Sequence, residues 1–295
     1  MKEGFTLITG AGAGIGKELA IVCAKKRFNL LLVSLPGSDL SQLASEISNT
    51  YQVKAHYFEI DLIAPAAPEA ILNWCSANHF IVDKLINNAG AGGSRPFGEL
   101  QLPEIQSMIL LNNYVSTSMI SLFLPMLKQW PKAYILNVSS TASFFNIPNK
   151  ALYAATKAFV NTLTTSLRNE LTGTGVVVSV LCPGGSMHKR DANVEMKVNK
   201  RISEMIHENP HSIACAGIKG MLAEKRMILP GMVTKCYVFA ARLVPAGIAD
   251  PIIRRLFNPS KHRTAARRRR RKWALWSMAV ITGIVALLFA LYYNQ

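Results

Sequence analysis

From residue 5 to residue 181, short apolar runs alternate with longer stretches that are apolar on one side only. The pattern predicts strands over Phe5–Thr9, Asn29–Ser34, Lys54–Ile60, Lys84–Asn88, Ala133–Val138 and Val176–Leu181. Several of these are continuous aliphatic runs, as a parallel sheet covered on both faces demands. Between them the period lengthens to that of helices, over about 15–27, 39–50, 67–79, 103–128 and 151–172. This β-α-β-α alternation predicts an α/β fold, a doubly wound parallel sheet of the Rossmann type in a single domain. Right-handed crossovers then place helices on both faces and a ligand crevice at the carboxyl ends of the strands.

Past Leu181 the alternation weakens. Residues 186–225 read as a long loop with one or two helices, Arg226–Pro230 as a last short strand, and 232–257 as helical. Trp273 to Tyr293 is a run without a charged residue, and Trp273, Trp276, Tyr292 and Tyr293 stand at its ends. A helix of that length spans about 30 Å, the hydrocarbon thickness of a bilayer, and aromatic residues favour both interfaces. The expected organisation is a catalytic domain over 1–257, a basic linker over 258–272 and one transmembrane helix over 273–293. MKEGFTLITG leads almost directly into the first strand, with no apolar stretch long enough for a secretory signal.

The formal net charge of +16 misleads unless divided. Ten of the 33 basic residues lie in 251–295, which holds no Asp or Glu. The other 250 residues carry 23 basic and 17 acidic side chains. The folded part is therefore only mildly basic, which argues against nucleic acid as a partner. Arg267–Lys272 abuts the apolar run, where a basic block sets orientation and meets anionic lipid. Single-pass insertion with the domain on the cytoplasmic side is the expectation. The five cysteines are scattered without CxxC, and the six histidines form no cluster with metal-ligand spacing. Neither a disulfide framework nor a metal site is expected.

Chemistry enters at two places. TGAGAGIG, Thr9 to Gly16, joins the first strand to the first helix. There Gly10 permits a sharp turn, Gly14 a close approach to pyrophosphate, and Gly16 tight packing of helix on strand. A phosphate would meet the free N–H groups of the helix start at Ile15 and its neighbours. NNAG, Asn87–Gly90, ends the fourth strand, where the small Ala89 and Gly90 beside Asn88 leave room for a ribose. Asp61 ends the third strand and can accept a hydrogen bond from an adenine amino group. The second place is Ser140, Tyr153 and Lys157. Tyr153 and Lys157 are four apart on one helix face. An ammonium beside a phenol favours phenolate and tunes Tyr153 as an acid–base group. Lys157 can also donate to ribose hydroxyls, and Ser140 can hold a carbonyl oxygen near Tyr153.

At this point the chain resembles the short-chain dehydrogenase/reductase family, and its segment MLAEKRMILPGMVTK followed by ARLVP resembles the subgroup that includes ketoacyl-thioester reductases and 17β-hydroxysteroid-type enzymes. The resemblance runs from about Phe5 to Gly184 and more weakly to 257. It rests on TGAGAGIG, Asp61, NNAG, Asn112, Ser140, YAATK and Pro183-Gly184. It implies about seven strands, and a relay in which Asn112 props a water linking Lys157 to solvent. It also implies that Thr9, Pro183 and Gly184 border the cofactor. The chain departs from the family at PGGSMHK, where His188 stands at a position often held by threonine and Ser186 can substitute. The position that holds the ribose 2′-OH in NAD users is Ser34, followed by Leu35. With no carboxylate to repel a 2′-phosphate, NADP(H) is favoured over NAD(H). The expected activity is hydride transfer between that cofactor and a lipophilic ketone or secondary alcohol, such as a 3-oxoacyl thioester, a keto-sphingoid base or a steroid-like ketone. The alternative is a membrane scaffold that binds NADP without turnover. Expected partners are the small lipophilic substrate and the membrane, with a homo-oligomer left open.

Overall fold

The computed structural model of the chain describes residues 3–184 and 208–257. The basic linker, the apolar run at 273–293 and the residues Ser186 and His188 lie outside the described residues. Seven parallel strands form one sheet in the order β3-β2-β1-β4-β5-β6-β7. They are β1 (Phe5–Thr9), β2 (Asn29–Ser34), β3 (Ala55–Glu59), β4 (Val82–Asn87), β5 (Ala133–Val138), β6 (Val176–Leu181) and β7 (Met227–Ile228). The helices are α1 (Gly14–Lys25), α2 (Leu40–Tyr51), α3 (Ala67–Ala77), α4 (Leu102–Ile109), α5 (Val115–Leu127) and α6 (Ala151–Glu170). Beyond β6 come α7 (Pro210–Leu222), α8 (Met232–Leu243) and α9 (Ala246–Phe257).

Successive strand residues feed opposite faces of the sheet, because the side-chain period of a strand is two. Ile8, Leu30, Leu32, Ile86, Leu136 and Leu181 pack with α1, α2 and α7. Leu7, Leu31, Val33, Leu85, Ile135 and Val178 pack with Ile71 and Cys75 of α3 and with Met119, Ile120 and Phe123 of α5. The central strands are largely apolar because both faces are covered, whereas the edge strand β3 exposes His56, Tyr57 and Glu59. Chain direction reverses across the sheet between β1 and β4, so a crevice opens beyond their carboxyl ends.

Four strands fall where the pattern places them, residue for residue. β3 ends at Glu59, so Asp61 stands two residues past the strand and not at its last position. The single helix read over 103–128 is interrupted. Residues Leu110–Tyr114 form a π-helical turn between α4 and α5. The run read as helical over 232–257 breaks at 244–245 into α8 and α9. Among the described residues one helical run, Leu102–Leu127, is long and apolar enough to cross a membrane. Its Val115, Met119, Phe123 and Leu127 are spent on the core of the domain.

Candidate active site

The glycine loop is folded for close approach. Gly10 takes φ +66°, in the left-handed region where other residues are strained. A Cβ on Gly16 would stand 2.0 Å from the Gly10 carbonyl oxygen, so only glycine lets α1 start this near β1. The loop is clasped to β4. Thr9 Oγ1 accepts the main-chain N–H groups of Asn88 and Ala89, both at 3.1 Å. Asn88 Nδ2 donates back to the carbonyls of Thr9 and Gly10 at 3.0 and 3.1 Å. The side chains of Thr9 and Asn88 thus hold the loop, and the Ala11 N–H donates to the Val33 carbonyl at 3.1 Å.

The amino end of α1 has no side-chain cap at Ala13, and no acidic residue in its first turn. Its free N–H groups and dipole are left for an anion. Ile15 turns its side chain to the core and leaves its backbone at that end. Ser34 closes β2 beside the loop. Its Oγ lies 2.9 Å from where a Gly12 Cβ would stand. Leu35 next to it is 52% exposed. Asp61 is exposed, and its Oδ1 accepts the Ile63 N–H at 3.1 Å. These features fit a dinucleotide: an uncapped helix start for its pyrophosphate, and glycines where side chains would collide.

The second half of the site lies past β4, β5 and β6, on the same edge of the sheet. Lys157 is 5% exposed and its Nζ donates to the Val138 carbonyl at 3.0 Å. Burial pulls its pKa down to about 8. Its own carbonyl accepts from Ser139 Oγ at 2.8 Å, so α6 is pinned to the end of β5 at this residue. Tyr153 stands one turn earlier, with Lys157 Nζ 6.0 Å from its ring centroid. Lys150 Nζ lies 5.9 Å from the same centroid. Ser140 caps the 3₁₀ turn Thr141–Phe144, its Oγ accepting the Ala142 N–H at 3.1 Å. Asn161 Nδ2 of α6 donates to Ser143 Oγ at 2.6 Å, tying that turn to α6. Ser140 is therefore held between β5 and the helix of Tyr153 and Lys157.

Asn112 sits in the π turn and is 2% exposed. Its Oδ1 accepts from Ala91 N at 2.8 Å, and its Nδ2 donates to Ala91 O and Thr156 Oγ1, both at 2.9 Å. A Cβ on Gly90 would stand 3.0 Å from Asn112 Oδ1 and 3.1 Å from Lys157 Nζ. Gly90 is thus the gap in which these two groups approach. Pro183 and Gly184 are buried past β6. The Pro183 carbonyl accepts the Thr141 N–H at 2.9 Å, which closes the site on that side. A Cβ on Gly92 would meet the Tyr153 ring at 3.5 Å. A cavity of about 250 Å³ opens there, lined by Gly92, Gly93, Phe97, Met108, Leu152 and Tyr153 among others. A larger hollow of about 430 Å³, at β3, touches none of the predicted site residues.

The structure brings the predicted residues to one edge of the sheet, with the glycine loop on one side of the β1/β4 switch and Ser140, Tyr153 and Lys157 on the other. Asp61 is an exposed turn residue two positions past the carboxyl end of β3. Sequence reasoning passed over Thr156, which orients Asn112, and Gly92, which makes room beside Tyr153. Thr156 lies inside YAATK and was legible in principle. The π turn has no local signal. Among the described residues, no group of three or more His, Cys, Asp or Glu is placed to hold a metal ion.

A parallel sheet with a glycine loop at its switch point defines a dinucleotide-binding α/β protein. The comparisons carry this further. The family model of short chain dehydrogenases matches residues 5–199. The chain belongs to that family, whose fold binds a nicotinamide cofactor. A very-long-chain 3-oxoacyl-CoA reductase of Vanderwaltozyma polyspora is 34% identical over 188 residues, covering 60% of this chain and 54% of the relative. The Bos taurus protein of the same name is 30% identical over 183 residues, covering 61% and 58%. A ketoacyl reductase of Nostoc sp., HetN, is 32% identical over 178 residues, covering 60% and 62%. The matches thus span little more than half the length of these relatives. Among solved structures, a 7beta-hydroxysteroid dehydrogenase aligns with TM-score 0.76 and 21% identity over 86% of this chain and 96% of its own. A short-chain dehydrogenase of Sphingobium yanoikuyae in complex with NADPH aligns with TM-score 0.72 and 24% identity over 90% and 99%. At these identities the structures speak for the fold.

Proposed function

We propose that the chain is an NADP(H)-dependent reductase of lipophilic ketones, with 3-oxoacyl thioesters as the substrate class, held at a membrane by its C-terminal segment. One observation carries the catalytic reading. A desolvated Lys157 is fixed at the end of β5, one helical turn from Tyr153, which itself lines a cavity. A reduced nicotinamide held by the Gly10–Gly16 loop and Lys157 would supply hydride chemistry at the carbonyl carbon. Tyr153 donates its phenolic proton to the carbonyl oxygen as negative charge develops there. The Ser140 hydroxyl donates to the same oxygen and orients it. The Lys157 ammonium lowers the cost of the resulting phenolate and binds ribose hydroxyls. Asn112 holds the 90–91 chain open beside Lys157, where protons return from solvent. In the oxidative direction the same groups act in reverse.

The cofactor contacts in this reading are the Gly10–Gly16 loop, Ser34, Asp61, Asn88–Gly90, Pro183 and Gly184. Ser34 offers no charge to repel a 2′-phosphate, which supports NADP(H). The names of the relatives support an acyl thioester, and the cavity by Gly92, Phe97, Met108 and Leu152 offers an apolar wall for its chain. A domain over 1–257, a basic linker over 258–272 and a single transmembrane helix over 273–293 complete the reading. The uncharged run and its basic flank support them, with the domain on the cytoplasmic side.

The test is Tyr153→Phe, assayed with NADPH and a panel of 3-oxoacyl, sphingoid and steroid ketones. The wild type is expected to reduce the 3-oxoacyl thioester. The variant is expected to lose roughly a hundredfold or more in kcat while NADPH still quenches its tryptophan fluorescence. Undiminished turnover in the variant would overturn the catalytic assignment.

A further inference from the structure

A second constellation lies between α1 and α7, which pack on the face of the sheet away from Leu163 and Leu167 of α6. His211 Nδ1 is 2.7 Å from Glu18 Oε2, and His211 Nε2 is 3.6 Å from Cys215 Sγ. The fold sets this up from three directions. Asn209 caps α7 by accepting the His211 N–H at 2.9 Å, and Pro210 starts the helix, so His211 is fixed in the first turn. Cys215 follows four residues later on the same face. Glu18 comes from α1, against which α7 packs.

The imidazole therefore bridges a carboxylate and a thiol through its two opposite nitrogens. A metal would need these ligands to converge, and here they diverge. A carboxylate at Nδ1 assigns the ring proton to that nitrogen and leaves Nε2 as an acceptor facing the thiol. A nucleophile, a base and a group that orients the base are in place. The other cysteines lack this setting. Cys23, Cys75 and Cys182 are buried, and burial pushes the thiols of Cys23 and Cys75 up to about 12. Cys236 is half-buried, and Cys215 is exposed. Lys219, also exposed, lies one turn further along the same face and presents a cation to an incoming anion.

We propose that Cys215 is a thiolation site for low-molecular-weight disulfides, with His211 as its proton acceptor and Glu18 as the group that orients the ring. His211 Nε2 takes the thiol proton. The Cys215 thiolate attacks one sulfur of the disulfide R–S–S–R. A new S–S bond joins Cys215 to that sulfur, the old S–S bond breaks, and R–S⁻ leaves and recovers the proton from the imidazolium. Cys215 is oxidised and one half of the disulfide is reduced to a thiol. A disulfide that carries carboxylates, such as oxidised glutathione with two on each half, matches the Lys219 side of the site.

The experiment incubates the full chain in detergent with oxidised glutathione, then follows the adduct by intact mass and peptide mapping. The expected result is one glutathione on Cys215, removed by dithiothreitol, formed well before any on Cys236. The His211→Gln variant should react roughly tenfold more slowly, as for loss of a general base. Glu18→Gln should slow the reaction less, and it carries the comparison if the histidine variant does not fold. Equal rates at Cys215 and Cys236, or unchanged rates in both variants, would overturn the proposal.

Discussion

The Lys157 ammonium donates to the Val138 carbonyl at 3.0 Å and has lost nearly all contact with water. Its folded pKa, about 8, lies below that of an unfolded lysine, about 10.4. Between these values the unfolded chain binds more protons than the folded one, so stability rises with pH. The cost of burying the charge is present below pH 8 and is relieved as the ammonium loses its proton. In the cofactor-free protein, replacing Lys157 with Met removes this titration. From pH 7 to pH 10 the wild type should gain roughly 2–3 kcal/mol on the variant. Urea midpoints across that range measure it, and a difference that does not move with pH would mean the ammonium is hydrated.

Gly90 separates Asn112 from Lys157. In Gly90→Ala the new methyl would stand 3.0 Å from one and 3.1 Å from the other. Both neighbours are buried and already hydrogen-bonded, so they can give only a few tenths of an ångström. The stability cost should be modest, about 1 kcal/mol. On the proposed mechanism activity should fall more, roughly ten- to a hundredfold, because Asn112 and Lys157 shift against the reacting centre. Gly98→Ala, with open space around it, serves as control and should stay within about 0.5 kcal/mol of wild type. A Gly90→Ala enzyme with full kcat would remove Asn112 and Lys157 from a shared relay.

The sheet was readable because burial on both faces leaves a signature in the central strands, though not in the exposed edge strand β3. Leu30 through Val33 must all be apolar, whichever face each one meets. The first glycine loop was readable for a similar reason, since collision and positive φ admit almost nothing else at Gly10 and Gly16. The turn at Leu110–Tyr114 was not readable. One extra residue in a helix changes no composition and barely disturbs the apolar period, yet it is what carries Asn112. The break at Val244-Pro245 did have a local cue, since proline restricts the residue before it. Asp61 was readable as a carboxylate just past β3, where its Oδ1 accepts the Ile63 N–H of its own turn.

Thr9 offers one oxygen to two main-chain donors across the β1/β4 switch. Valine has the same shape and no acceptor. Thr9→Val would leave the Asn88 and Ala89 N–H groups without it, at a cost of about 2 kcal/mol or more. A domain of this size should then melt about 4–8 °C lower. Thr9→Ser keeps the oxygen and should recover most of the loss. NADPH affinity should weaken in the valine variant as the glycine loop loosens. Equal melting temperatures for Val and Ser would show that the clasp contributes packing alone.

In the proposed function, cofactor choice is read where β2 ends. Ser34 is half-buried beside the glycine loop, and Leu35 after it is largely open to solvent. A carboxylate at 34 would accept from a ribose 2′-OH and repel a 2′-phosphate. At about 4 Å that repulsion is about 1 kcal/mol in water and about 4 kcal/mol near a protein surface. Ser34→Asp should therefore weaken NADPH binding by roughly ten- to a hundredfold and leave NADH binding the same or tighter. Leu35→Arg adds a cation at an exposed position and should tighten NADPH alone, by an amount that shrinks with added salt. Fluorescence titration of both variants with both cofactors gives the four dissociation constants. If Ser34→Asp leaves the NADPH-to-NADH ratio unchanged, the 2′ position of the ribose is read by residues elsewhere in the fold.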